Sequence, residues 1–319
     1  MTKVSNFLIS APLHVEMALS SSCQLSCNYC SAMPFNGKFA DKESTLKLLN
    51  DLCDAKVFSL LLSGGEPTLH PNFFDFLKCV SGRISEITVN TNGIKFSHSK
   101  YAKEFNQHSP KATVAVSLDS ADIKINDLQR GAGGSQAIRA IENLCNLNQP
   151  ICISTVLTPG NLDTADKLID RFFPSVKVFR FFPIVPRNEL ELKNNDESYQ
   201  NSVKQFYKKI SDRAKVIPEL KGIVPYNTVK AEGQGSLFNE IDFCCCAFTK
   251  LFIDSELNGY PCYYSANTDT NLGNFKSNSF QSIWNSKKAF ETRELSKCRS
   301  LCNLSWETER LPHKYTYCE

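Results

Sequence analysis

The 319-residue chain has no apolar run approaching the ~20 residues that a membrane-crossing helix needs; Leu60-Leu61-Leu62 is typical of its short apolar stretches. It also lacks the basic start, apolar middle and small-residue cleavage site of a secretory signal across Met1 to Leu19. Charge of one sign is scarce: 36 basic against 33 acidic residues leave a formal net charge of +3, too little to imply nucleic acid or an anionic membrane surface as partner. What is plentiful is cysteine, fourteen in all. With no export signal these are expected to be reduced thiols in a cytoplasmic protein rather than disulfides. An apolar content of 42% fills a sizeable core, and the length suits about two domains of roughly 150 residues each.

Three cysteines stand together in Ser21-Ser22-Cys23-Gln24-Leu25-Ser26-Cys27-Asn28-Tyr29-Cys30. Thiolates at Cys23, Cys27 and Cys30 can hold three irons of a four-iron cubane and leave the fourth iron without a protein ligand, open to a substrate or cofactor. Zinc is the rival reading, as is an inert helical face. Zinc prefers four ligands, usually in two pairs, and no second pair lies nearby.

Short β-rich runs at Val15–Leu19, Val57–Leu62, Glu86–Asn90, Thr113–Leu118, Ile151–Leu157 and Val176–Phe182 alternate with helix-like or polar segments. Stripes at spacings of three and four (Leu46, Leu49, Cys53; Ala137, Ile138, Ile141, Leu144, Cys145) mark two helices and place Cys53 and Cys145 in the core. Cys79 and Cys152 read as packing residues too. Six βα units predict an α/β fold with a parallel sheet and a site at the strand C-termini. Three such ends, and that of the sixth run at Ile184, carry residues of interest. Ser63-Gly64-Gly65-Glu66-Pro67 pairs glycines, which permit close backbone approach, with a carboxylate acceptor for an ammonium group. Asn90-Thr91-Asn92-Gly93 and Ser117-Leu118-Asp119 offer small polar side chains. Arg130, ahead of Gly131-Ala132-Gly133-Gly134, is suited to clamp a carboxylate; no Gly-x-Gly-x-x-Gly is completed there, which argues against a dinucleotide fold. Arg187 to Gln200 reads as an exposed loop, and Lys204, Lys208 and Lys209 as solvent-facing.

The Cys-x3-Cys-x2-Cys spacing, with aromatic Tyr29 before the last cysteine, together with Gly-Gly-Glu-Pro downstream, resembles the radical S-adenosylmethionine (radical SAM) superfamily. The resemblance implies a partial (βα)6 TIM-like barrel over residues 1–235. It implies a [4Fe-4S] cluster on Cys23, Cys27 and Cys30. The SAM contacts it implies are Tyr29, Gly64, Gly65, Glu66, Asn92, Ser117, Asp119, Arg130 and Ile184, with Glu66 near the amino group, Arg130 on the carboxylate and Ile184 at the adenine face.

Seven of the cysteines lie beyond Gly233-Gln234-Gly235-Ser236, which marks a second, small α+β domain over 236–319. There Leu251–Asp254 reads as a strand, Asn258-Gly259 as a hairpin turn, and the segment with Pro261-Cys262 as a second strand. This region resembles the SPASM and shorter twitch cluster domains of radical SAM enzymes. That resemblance implies one auxiliary [4Fe-4S] cluster on Cys245 or Cys246, Cys262, Cys298 and Cys302. The hairpin spacing before Cys262 and the missing Cys-x2-Cys-x5-Cys-x3-Cys run depart from the full SPASM pattern. Three adjacent cysteines cannot readily all face one cluster, so a thiol among Cys244, Cys245 and Cys246 is a candidate hydrogen-atom donor; a packed or exposed thiol is the alternative. The role of Cys318 stays open.

The activity implied is reductive cleavage of SAM and removal of a hydrogen atom from a substrate, with a flavodoxin or ferredoxin as electron donor. A ribosomally made peptide or protein, oxidised, crosslinked or epimerised, leads as substrate. A small molecule such as an amino sugar or cyclitol is second, and a non-catalytic iron–sulfur electron carrier is the reading from another class. The 22 residues before Cys23 are too few for a separate leader-peptide-binding wing, which weakens the peptide expectation without ending it.

Overall fold

A computed structural model describes residues 10–30, 37–184, 197–217, 248–263, 266 and 270–296. In chain order its elements are β1 (His14–Ser20), α1 (Lys42–Asp54), β2 (Ser59–Gly64), α2 (Phe73–Val80), β3 (Glu86–Thr91), α3 (Ser99–His108), β4 (Thr113–Ser117), α4 (Ile123–Arg130), α5 (Gly134–Cys145), β5 (Ile151–Leu157), α6 (Lys167–Phe172), β6 (Val178–Pro183), α7 (Glu197–Val216), β7 (Lys250–Ile253), β8 (Asn258–Tyr260), β9 (Gly273–Asn274), α8 (Phe280–Trp284) and α9 (Lys287–Ser296). The six expected βα repeats are all present within a residue or two of their expected places. The chain divides into two compact units, Met1–Ser22 with Pro34–Thr88 and Glu240–Glu319, and Cys23–Met33 with Val89–Asn239. The boundary expected near 235/236 lies outside the described residues.

In the first unit the strand order is β2-β1-β7-β8-β9. β1 runs parallel to both β2 and β7, and β7, β8 and β9 are antiparallel. Alternation along a strand sends successive side chains to opposite faces. One face is closed: Val15, Met17, Leu19, Leu60, Leu62 and Ile253 have no exposure and Leu251 has 2%. The other carries His14, Glu16, Ser59, Leu61, Ser63 and Lys250, all but Ser63 partly exposed.

The hairpin differs from the sequence expectation. Asn258 and Gly259 pair within the sheet, with Asn274 and Gly273. The turn is Asp254 to Leu257, where Asp254 Oδ1 accepts the Glu256 and Asn258 N–H groups at 2.9 and 2.8 Å and buried Leu257 takes φ 65°. A capping carboxylate outweighed the Asn-Gly signal. Gly259 is required for a different reason, since a Cβ there would come within 2.9 Å of the Phe275 ring. Cys262 follows β8 instead of lying within it.

In the second unit β3, β4, β5 and β6 lie side by side, and the β4–β5 and β5–β6 pairs are parallel. α4 starts with Asp122 accepting the Lys124 N–H at 2.8 Å and ends at Gly131, φ 84°. α5 buries Ala137, Ile138, Ile141 and Leu144. Cys145 closes that helix at its rim and is partly exposed, so it is not a core residue; Cys53 and Cys152 are buried and Cys79 is partly exposed. The segment taken for a loop through Gln200 is already helical from Glu197, because Tyr199 is buried, donates to Leu157 O and accepts from Ile184 N–H. Residues 185–196 lie outside the described residues. Lys204, Lys208 and Lys209 are exposed, and Lys209 also pairs with Asp166 at 2.7 Å.

Candidate functional site

Among its described residues, 23–30, the cysteine loop of the second unit has no helix or strand of its own and is held from outside. Asn28 N–H donates to Gln129 O at the end of α4 (3.0 Å), and Cys30 N–H to Cys27 O (3.0 Å). Asn92, at the end of β3, donates from Nδ2 to Gln24 Oε1 at 3.0 Å and to Cys23 Sγ at 3.7 Å, while its Oδ1 accepts Ile94 N–H. Gly131 must be glycine here twice over: its φ is positive, and a Cβ would sit 2.9 Å from Ser26 Oγ.

Cys23, Cys27 and Cys30 are reduced thiols, not disulfide-bonded, and partly exposed. Burial raises the Cys27 thiol pKa; Arg130 opposes this, and Cys30, Asp119 and Cys23 add to it. Cys27 thus feels both of the other sulfurs, yet no three His, Cys, Asp or Glu side chains among the described residues converge on a single metal ion. A cubane spreads three thiolates over three different irons, so this donor set fits an iron–sulfur cluster of that kind.

Behind the loop, Arg130 Nη1 donates to Tyr29 Oη at 2.7 Å and lies 3.4 Å from Asp119 Oδ2, which also accepts the Tyr29 hydroxyl. The Arg130 side chain is 9% exposed and Asp119 is fully buried. Burial alone would lower the Arg130 pKa, but Tyr29 and Asp119 raise it, so the guanidinium stays charged. Asp119 is anchored further by Val156 N–H on Oδ1, Asn126 Oδ1 on its own N–H and Asn161 Nδ2 on its carbonyl. Both Asp119 oxygens are taken. Ser117 and Ile184 are partly exposed at the ends of β4 and β6.

In the first unit β2 runs into Gly64-Gly65-Glu66. A Cβ on Gly64 would be 2.2 Å from Ser20 O, and one on Gly65 2.4 Å from Ser22 O. The close approach the glycines permit is therefore to the end of β1 and the start of the cysteine segment: Gly65 and Glu66 N–H donate to Ser20 O and Ser22 O at 2.6 and 2.7 Å. Glu66, 1% exposed, accepts the Thr68 N–H and hydroxyl on Oε1 (3.2 and 2.6 Å) and caps the short 3-10 turn Pro67–Leu69.

One residue of this region went unnoticed in the sequence. Glu16 sits in β1 with Ser63 Oγ donating to its Oε1 at 2.9 Å. Burial, opposed by that hydrogen bond and by Lys250 and reinforced by Cys262, pushes its carboxyl up to about 7. The available signal was a lone carboxylate in Val15-Glu16-Met17-Ala18-Leu19, an otherwise apolar strand.

Residues 17–172 match the radical SAM superfamily and residues 244–304 the SPASM iron–sulfur cluster-binding domain. The chain belongs to the radical SAM superfamily and carries a SPASM domain. The two domains imply SAM and [4Fe-4S] clusters as cofactors. Mycofactocin maturase MftC of Mycobacterium ulcerans is 30% identical over 55% of this chain and 49% of its own length. The Mycobacterium tuberculosis MftC is 24% identical over 92% and 74%. The chain spans about half the length of the first two curated relatives it matches. Among solved structures, Streptococcus suis SuiB bound to S-adenosylmethionine superposes with a TM-score of 0.75 at 19% identity, covering 92% of this chain and 71% of SuiB; that likeness is of the fold. Of the second cluster's expected ligands only Cys262 is described; Cys244, Cys245, Cys246, Cys298 and Cys302, with Cys318, lie outside the described residues.

Proposed function

We propose that this radical SAM protein is a maturase that modifies a ribosomally made peptide. The observation that carries this is the thiol set Cys23, Cys27 and Cys30, in which Cys27 lies near enough to feel the other two, in a domain shared with proteins named as maturases or biosynthesis proteins. Those include MftC and the subtilosin biosynthesis protein AlbA of Bacillus subtilis, 24% identical over 86% of this chain. SuiB has also been solved bound to its precursor peptide SuiA.

Cys23, Cys27 and Cys30 would hold the cluster, whose chemistry when SAM is bound is to supply the electron that splits it into methionine and a 5′-deoxyadenosyl radical. Glu66 would accept from the SAM ammonium group. Arg130, fixed by Tyr29 and Asp119, would present its remaining guanidinium nitrogens to the carboxylate, and Asn92 would keep the loop carrying Cys23 in register. Ser117 and Ile184 would contact the ribose and the adenine. Orientation is what these residues contribute, since an unguided radical reacts with whatever is nearest. Cys262 and thiols of 244–302 would hold an auxiliary cluster; the substrate radical would end either by losing a proton and an electron to that cluster, an oxidation, or by taking a hydrogen atom from the Cys244 or Cys245 thiol, an epimerisation, and a flavodoxin or ferredoxin would reduce the first cluster in the cytoplasm.

A small-molecule substrate is the second reading, favoured by one observation: an AdoMet-dependent heme synthase of Methanosarcina barkeri is 22% identical over 93% of this chain and 89% of its own length. The test is 5′-deoxyadenosine release from SAM by the anaerobically reconstituted, reduced protein, with the Cys23→Ala, Cys27→Ala, Cys30→Ala triple variant as control. Release that vanishes in the variant and rises with added peptide supports the maturase. Release that no peptide stimulates favours a small molecule, and no release from iron-replete protein leaves an electron carrier.

A further inference from the structure

Glu16 is a charged side chain inside a strand whose flanking residues, Val15, Met17, Ala18 and Leu19, are at most 8% exposed. It stands on the open face of the first unit's sheet, opposite Leu61 on β2 and Phe252 on β7. Its carboxyl accepts one hydrogen bond among the described residues, from Ser63. The other groups whose charges act on it are Cys262 and Lys250.

A carboxylate has about four lone-pair sites, and a buried one is normally accompanied by a charge-assisted donor. One neutral hydroxyl is little for a carboxylate whose strand neighbours are buried and apolar. The residue keeps partial exposure, so a further donor can reach it from outside the sheet. Beside it, Phe252 and Tyr260 pack with Ala18 and partly buried Tyr263, an apolar wall of the kind that accommodates the methylene stem of a long basic side chain. Ser63, which orients the carboxyl, immediately precedes Gly64-Gly65-Glu66, so this acceptor is fixed to the strand that leads into the cofactor-binding turn.

The geometry points to Glu16, oriented by Ser63, as the residue that recognises a cationic side chain of the substrate. This rests on the peptide-maturase reading above and adds to it the charge of the residue that is read. A carboxylate discriminates sharply, because an ammonium or guanidinium group satisfies it while a neutral isostere leaves it unpaired.

The experiment uses the full-length, cluster-reconstituted protein with SAM under anaerobic conditions. Three pools of amino-terminally labelled degenerate 12-residue peptides, identical except for a fixed central Lys, norleucine or Glu, are titrated by fluorescence anisotropy. The expected result is that the Lys pool binds at least tenfold more tightly than the norleucine pool, that Glu16→Gln narrows the gap to under threefold, and that Glu16→Lys turns the preference toward the Glu pool. Glu16→Gln is near-isosteric and keeps the Ser63 hydrogen bond, so the test survives if the lysine variant does not fold. Equal affinity for the three pools, no measurable binding to any, or a Lys preference that survives Glu16→Gln overturns the assignment. Mass spectrometry separates this from the broader reading. A Glu16-dependent preference without any peptide modification sinks the maturase and keeps the site; modification without a charge preference does the reverse.

Discussion

Arg130 and Asp119 form an ion pair 3.4 Å apart in which the aspartate is fully buried and the arginine side chain 9% exposed, and the Tyr29 hydroxyl bonds to both. Tyr29 lies between Cys27 and Cys30. The pair therefore fixes the cysteine loop against the ends of β4 and α4.

Removing one member of a buried pair leaves an uncompensated charge, which typically costs about 3–5 kcal/mol. Arg130→Ala is expected to lose that much in urea unfolding. Tyr29→Phe, which deletes hydrogen bonds to two charged groups, should lose roughly 1.5–3 kcal/mol. A double-mutant cycle should show the two effects to be strongly non-additive.

Gly64→Ala and Gly65→Ala place a Cβ 2.2 and 2.4 Å from backbone oxygens of Ser20 and Ser22, which cannot swing aside as a side-chain tip does. Each should weaken SAM binding at least tenfold in equilibrium dialysis. Gly82→Ala is the matched control. It also has positive φ but nothing within 4 Å of the added atom, so it should cost only the ~1 kcal/mol of backbone strain and leave SAM affinity as it is.

Glu16 gives stability a pH signature. Its folded pKa, about 7, lies above the ordinary glutamate value of 4.5, so between those values the folded state binds more protons than the unfolded state and stability falls as pH rises. The cost is small below pH 4.5 and complete above pH 7, where it amounts to roughly 3 kcal/mol. Glu16→Gln should raise the melting temperature at pH 8 and change it little at pH 5, read by differential scanning fluorimetry. Equal shifts at both pH values would contradict the assigned cause.

Asp254 accepts from Glu256 N–H, Asn258 N–H, Asn258 Nδ2 and the Tyr260 hydroxyl. Asp254→Ala leaves these donors unsatisfied, at about 1–3 kcal/mol for each that stays buried. Calorimetry should show a lowered unfolding temperature, and iron analysis of the reconstituted protein should show loss, since Cys262, proposed as a cluster ligand, lies two residues past β8.

The six βα repeats were legible because parallel strands covered on one face repeat a pattern of β-branched and leucine-rich runs that chain neighbours alone establish. The cysteine triplet and Gly-Gly-Glu-Pro stand out for a similar reason: each is a short run of closely spaced residues. The turn at Asp254–Leu257 was misplaced because an Asn-Gly pair is a local preference, and a side-chain cap with a buried leucine beneath it outweighs that preference. Cys145 was taken for core because periodicity identifies a helix face but not where the neighbouring element stops covering it.

By itself, then, the sequence determined the repeat order, the spacing of the three cysteines and the glycine turn, since each depends on spacing along the chain. Only the tertiary structure decided that Asp119 spends both oxygens holding Arg130, Tyr29 and Val156, that Gly64 and Gly65 are glycine to clear Ser20 and Ser22, and that Glu16 meets Ser63 on an open sheet face. Those outcomes depend on strand register and on desolvation, which bring residues 47 and 90 positions apart into contact and which no local pattern encodes.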